Sequence, residues 1–131
     1  MSVRVWRTDR EAVLARLRQW ATELGRDPQV LAVVLFGSLA RGDHTAASDA
    51  DVLILLRESQ EDFRDRIPRF LPVGLGVGAD VFPYTLEEAR RSLTEGWGVV
   101  RAALAEGQVL FERADDSPLP SLRRLLARSP R

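Results

Sequence analysis

The seven consecutive apolar residues from Val30 to Phe36 are the feature that most constrains how this chain can fold. No polar residue alternates through the run, so as a strand it is covered on both faces. Gly37 and Ser38 then open a small, polar connection that ends at Ser48, with one short helix expected to start after Ser38. A second apolar run follows from Asp51 to Leu56 and predicts a second strand.

The remaining segments read as cover for these strands. Thr8-Asp9-Arg10-Glu11 fits a capping box, in which the Thr hydroxyl and the Glu three residues on satisfy the first free amides of a helix. After it, Val13, Leu17, Trp20, Ala21 and Leu24 fall on one helical face, with Arg16, Arg18 and Glu23 turned outward. Gly25 and Pro28 end that helix. Residues Glu58 to Leu71 predict another amphipathic helix through Phe63, Ile67, Phe70 and Leu71, kinked or ended by Pro68. Leu71 to Gly78 reads as a loop, and within Ala79 to Tyr84 a third short strand begins at Asp80 and is stopped by Pro83. Thr85-Leu86-Glu87-Glu88 is a second capping box, followed by Leu86, Ala89 and Leu93 on one face. Gly96 breaks the pattern, and Trp97, Val100 and Leu104 repeat it up to Gly107. Val109 to Phe111 predicts a last strand. Pro118 and Pro120 mark a linker, and Ser121 to Arg128 a short basic helix. The expected fold class is α/β or α+β: a small mixed β-sheet flanked by helices, with one domain over residues 1–113 and the linker and basic helix over 114–131.

Composition narrows the possible chemistry. With 131 residues, one domain can bury a real core, and 45% apolar with 29% charged residues is ordinary for a globular protein. Nineteen basic residues balance nineteen acidic ones, so bulk attraction to nucleic acid or to an anionic membrane has no support. The absence of cysteine excludes disulfides and thiolate chemistry, and a single His44 effectively excludes zinc sites built on Cys and His. The longest apolar run is far below the roughly 20 residues that span a bilayer. The first residues carry no apolar signal core, and a cytoplasmic protein is expected.

The acids carry the chemistry. Asp49 and Asp51 are two apart, so at the head of a strand their side chains project the same way. Two carboxylates held that close are costly unless a cation neutralises them. An oxygen-only set suits Mg²⁺ or Mn²⁺ rather than zinc. Paired ions about 3.5–4 Å apart clamp the attacking and leaving oxygens of an in-line displacement. An isolated Asp-x-Asp is more often a solvated turn. Gly37 and Ser38 change that balance: a glycine after a buried strand lets backbone amides approach a phosphate, and a following helix N-terminus favours the anion. Ten residues, Leu39 to Ser48, separate this turn from Asp49, enough to bring the chain back to a neighbouring strand. Arg41, inside the connection, is either a triphosphate contact or a surface charge. Asp80 supplies a third carboxylate at the head of its own short strand, as a metal ligand, as a base for an incoming hydroxyl, or as both.

The string from Phe36-Gly37-Ser38 through Asp49-Ala50-Asp51 to Asp80 resembles the signature of the DNA polymerase β-type nucleotidyltransferase superfamily. The fuller stretch GSLARGDHTAASDADVLI is similar to its small prokaryotic members, the minimal nucleotidyltransferases. The likeness covers roughly residues 30 to 84. It implies a polymerase β palm-like fold and Mg²⁺-dependent transfer of a nucleoside monophosphate from a triphosphate such as ATP to an acceptor hydroxyl, with release of pyrophosphate. It further implies that Gly37 and Ser38 hold the triphosphate, Asp49 and Asp51 bind metal, and Asp80 completes the site.

Minimal members commonly pair with a separate helical HEPN protein, for which they serve as antitoxin. The resemblance therefore implies a toxin–antitoxin role in which AMP is placed on a partner hydroxyl, most simply a tyrosine. Two other readings remain: a binding module that neutralises its partner by occlusion alone, and a small-molecule transferase of the aminoglycoside type. His44 reads as a solvated loop residue. Trp6, Trp20 and Trp97 read as core or interface residues, and Arg123, Arg124, Arg128 and Arg131 as a solvated helix face.

Overall fold

The two apolar runs form the inner strands of one sheet, β1 (Val30–Phe36) and β2 (Ala50–Leu56), in a computed structural model that describes residues 3–43 and 49–128, the side chains of 3–9 excepted. They pair antiparallel, from Val30 opposite Leu56 to Phe36 opposite Asp51. Strand β3 (Ala79–Thr85) joins β2 in parallel, and β4 (Gln108–Glu112) joins β1 antiparallel. The order is β3-β2-β1-β4, a mixed sheet as expected. Every residue of β1 is buried, and in β2 Asp51 alone is not.

Helices cover both faces, as two-sided burial of β1 demands. On one side lie α1 (Val3–Leu24), the single turn α2 (Ser38–Arg41) and the inward residues of α3 (Phe63–Phe70). There Val13, Leu17 and Ala21 pack on Val33, Leu35, Val52 and Ile54. On the other side α4 (Leu86–Glu95), α5 (Val100–Glu106) and α6 (Leu119–Arg128) bring Ala89, Leu93, Val100, Ala103, Leu119 and Leu122 onto Val34, Leu53 and Leu55. Each such Leu contributes about 1.5–3 kcal/mol by leaving water. Among the described residues no helix is long and apolar enough to cross a membrane.

Several local expectations are corrected. Helix α1 already runs from Val3, so Thr8 lies within the helix and is not its cap. No Gly or Pro stands between Val3 and Thr8 to stop the helix from extending backwards. Helix α3 occupies only the second half of the span assigned to it, and ends two residues after Pro68. Strand β3 is not stopped by Pro83 but continues to Thr85. It is an edge strand, and Pro83 points its backbone outward: its carbonyl accepts from Arg66 Nη1 at 2.9 Å, so the missing N–H costs no ladder bond. Pro120 sits in the first turn of α6, where a proline is tolerated, rather than before the helix. Trp97 precedes α5 and stands over Tyr84, ring centroids 6.0 Å apart, with 40% of its surface exposed. Arg123, Arg124 and Arg128 are exposed, while His44 and Arg131 lie outside the described residues.

The second capping box forms as expected: Thr85 Oγ1 accepts from the Glu88 amide, and Glu88 Oε1 from the Thr85 amide. The same Glu88 also receives Arg66, whose guanidinium is 4% exposed. Arg66 Nη1 and Nη2 donate to the two Glu88 oxygens at 2.7 and 3.1 Å, and Nε and Nη2 to the Glu61 carbonyl at 3.0 and 2.8 Å. One buried cation thus joins α3, the end of β3 and the start of α4.

Arg66 holds the Glu88 carboxyl below its ordinary value by donating to it, against the effect of burial and with help from the Thr85 amide. Glu88→Ala is expected to cost about 2–3 kcal/mol in urea denaturation, less than the roughly 3–5 of a fully buried pair, because Glu88 is 32% exposed. A lowered folded value means the stabilisation is present above the ordinary carboxylate range and fades as pH falls through that value. The stability difference between wild type and Glu88→Gln should therefore stay constant from pH 7 to about 5 and shrink at lower pH.

Candidate active site

Register places the acids. In the parallel ladder Ala50 pairs with Ala79, Asp51 with Asp80 and Val52 with Val81, so Asp51 and Asp80 stand side by side on one face of the sheet. That face also carries Phe36 and Phe82, their ring centroids 5.8 Å apart, and the acids occupy its end where β2 and β3 begin. Asp51 is half-buried, whereas Asp80 and Asp49 are exposed. Asp49, just before β2, lies against the backbone of Gly78: a Cβ on that glycine would stand 2.6 Å from Asp49 Oδ1. The Gly78 carbonyl accepts from the Ala50 amide at 2.9 Å, which closes the start of β2 onto the segment leading into β3.

Gly37 ends β1 directly opposite this cluster. Its φ is +79°, in the left-handed region, and a Cβ there would overlap Asp51 Oδ2. Both conditions exclude other residues. The chain then turns through α2, whose Leu39 and Ala40 carbonyls accept from Arg10 of α1 at 2.9 and 3.4 Å. Arg41 donates from Nε to Asp43 at 3.1 Å and from Nη1 to Glu106 at 2.7 Å. The structure therefore brings Gly37, Ser38, Arg41, Asp51, Asp80 and Asp49 to one end of the sheet.

Burial, then the charges of Asp80 and Asp49, push the Asp51 carboxyl above its ordinary value, with Arg41 opposing them and Glu106 adding to them. Such an excess of negative charge is what a bound cation would relieve. Among the described residues no three Asp, Glu, His or Cys side chains converge on a point where they would hold one ion. Mg²⁺ is usually bound through one or two carboxylates, with substrate phosphates and water supplying the rest. The oxygen-only donor set fits the same ion.

Sequence reasoning missed two residues, Arg66 and Glu106. Glu106 Oε2 accepts from the Gly37 amide at 3.0 Å as well as from Arg41. Nothing local marks it, since it is 69 residues from Gly37 and reaches it only because β4 pairs with β1. Its place directly before Gly107 and a strand was the one available signal.

The family model described as a nucleotidyltransferase domain matches residues 17–110. A bifunctional uridylyltransferase/uridylyl-removing enzyme of Pseudomonas putida is 41% identical over 75 residues, 52% of this chain and 8% of that protein. The Burkholderia thailandensis enzyme of the same name is 33% identical over 94 residues, 66% of this chain and 11% of its own length. The chain thus spans about a tenth of the curated relatives it matches. A protein of Sulfolobus solfataricus, whose proposed activity is nucleotidyl transfer, superposes with a TM-score of 0.55 at 22% identity, over 84% of this chain and 89% of that one. A chain of a toxin–antitoxin structure with AMP-PNP superposes at 0.54 and 15% identity, over 86% and 82% of the two chains. These last two likenesses concern the fold.

Two substitutions separate the roles of the turn and of the acids. Asp51→Asn is expected to raise the thermal midpoint at pH 7, because it removes a partly buried charge facing two like charges. Gly37→Ala is expected to lower stability by about 1–3 kcal/mol, since a side chain at positive φ must also displace Asp51. Calorimetry of both variants beside wild type checks the pair of signs.

Proposed function

Since the chain belongs to the nucleotidyltransferase domain family, we propose that it transfers AMP from ATP to a hydroxyl of a partner protein, a tyrosine of a helical HEPN-type toxin for which it is the antitoxin. The observation that carries this reading is the in-register pair Asp51 and Asp80, with Asp49 beside it, facing the Gly37–Ser38 turn. The fold likeness to a chain of a toxin–antitoxin structure with AMP-PNP supports the choice of nucleotide and partner.

In this reading the Gly37 amide, the Ser38 hydroxyl and Arg41 hold the triphosphate. Asp49, Asp51 and Asp80 would hold Mg²⁺ together with oxygens of the triphosphate and water, not as one three-carboxylate cluster, and the ion would supply Lewis-acid polarisation of the phosphate and charge neutralisation. Asp80, the exposed member of the register pair, takes the proton from the acceptor hydroxyl as its oxygen bonds to the α-phosphorus and pyrophosphate leaves. The half-buried Asp51 keeps its position through the ladder that continues behind it in Val52, Leu53 and Ile54. The HEPN partner and the antitoxin role rest on the motif string Gly37 to Ile54, whose small relatives act that way.

A second reading, transfer of UMP, is favoured by the names of the curated relatives. Incubation with α-labelled ATP or UTP, Mg²⁺ and the candidate partner decides between them. Labelling of the partner by ATP is expected, with a loss of at least about 100-fold in Asp49→Ala and Asp51→Ala. Labelling by UTP alone selects the second reading. An unlabelled partner that both Asp variants still neutralise would leave occlusion, and label on a small molecule would point to the aminoglycoside-type alternative.

A further inference from the structure

Glu106 places a carboxylate oxygen on the two donors assigned above to the triphosphate. Its Oε2 lies 3.0 Å from the Gly37 nitrogen and 2.7 Å from Arg41 Nη1. One backbone N–H and one guanidinium on a single anionic oxygen is the set of partners that a phosphate oxygen takes. Glu106 is thus chemically a stand-in for phosphate, supplied by the chain itself.

The backbone that carries it is pinned. The Gly107 amide donates to the Ala103 carbonyl at 2.9 Å, and a Cβ on Gly107 would stand 2.5 Å from Val34 Cγ1 and 2.8 Å from the Leu35 carbonyl. Gln108, next in the chain, pairs with Leu35 in the sheet. The end of α5 is therefore fixed against β1, and the part of Glu106 free to leave is its side chain. That side chain is 30% exposed and Arg41 is 44% exposed, so water can receive the carboxylate as it departs. Ion pairs with this much solvent contact are weak enough to exchange. Arg41 would keep Asp43 as a partner, 3.1 Å from its Nε, and only Glu106 of the two acids also covers the Gly37 amide.

We propose that Glu106 is an affinity-setting residue of the nucleotide site, whose carboxylate competes with the triphosphate for the Gly37 amide and Arg41 and is displaced when the triphosphate binds. The proposal rests on the assignment of Gly37 and Arg41 to the triphosphate. Its consequence is selectivity: a lone phosphate gains little by exchanging with a carboxylate, whereas a triphosphate brings further oxygens for other contacts. Glu106 also adds a like charge beside the Asp51 cluster, which every incoming polyanion meets.

Inorganic tripolyphosphate tests this directly, because it carries no nucleotide to transfer. Calorimetric titration in Mg²⁺ is expected to show binding about three- to tenfold tighter in Glu106→Gln and Glu106→Ala than in wild type. Arg41→Ala is expected to cost more affinity in the Glu106→Ala background than in wild type, since there the guanidinium no longer has Glu106 as a competing partner. A residue that merely shaped the turn would give weaker binding on removal and no such coupling. Unchanged or weaker binding in both Glu106 variants overturns the proposal, as does an equal cost of Arg41→Ala in the two backgrounds or no tripolyphosphate binding in any variant. Tighter binding without any nucleotide transfer would retain Glu106 as competitor and sink the transferase reading alone. Transfer with unchanged tripolyphosphate affinity would do the reverse.

Discussion

The parallel ladder between β2 and β3 holds two carboxylates side by side at its second register position, and the geometry of the candidate site depends on that ladder not yielding. Two unit charges about 5 Å apart repel by about 1 kcal/mol in water and by about 3 kcal/mol at an effective dielectric of 20. Against this, Val52, Leu53, Ile54, Leu55 and Leu56 are all 3% exposed or less directly behind Asp51. Each contributes about 1.5–3 kcal/mol by burial, so the apolar part of the strand outweighs the repulsion at its head. The like charges survive because the register they share is set elsewhere.

Strand β3 is an edge, and edges need another restraint. Here it comes from Arg66, which reaches the Pro83 carbonyl and both oxygens of Glu88 while Glu88 completes the cap of α4. The buried cation grips the strand at Pro83, three residues along from Asp80, and so fixes the strand that presents Asp80. At the end of the sheet that carries the acids, Gly37 approaches so closely to Asp51 that no side chain fits between them. The site is built where the sheet is least comfortable and braced where it is most buried.

Much of this was legible from residue order. The unbroken run Val30–Phe36 announced a strand covered on both sides, and the structure buries all seven residues. The Thr85–Glu88 box was read with its partners correctly, because a capping box is satisfied within four residues. The Thr8–Glu11 pattern is equally local and for that reason misleads: it says that a cap would be satisfied there, not that the helix must begin there. Pro83 reads as a stop in the sequence, yet its missing N–H matters only if that side of the strand faces a neighbour. Edge position is a property of the sheet, not of the residue.

The sequence by itself therefore determined the elements whose causes are local: two-sided burial of β1, the glycine turn after it, the second cap, and the acids at the heads of β2 and β3. Tertiary structure alone decided what depends on which strands become neighbours. It put Asp51 opposite Asp80 through the parallel pairing of β2 with β3, and it brought Glu106 onto Gly37 through the pairing of β4 with β1. The physical reason is that hydrogen-bonded register between strands far apart in sequence is set by packing of the whole sheet, whereas periodicity and caps are satisfied within a few residues of themselves.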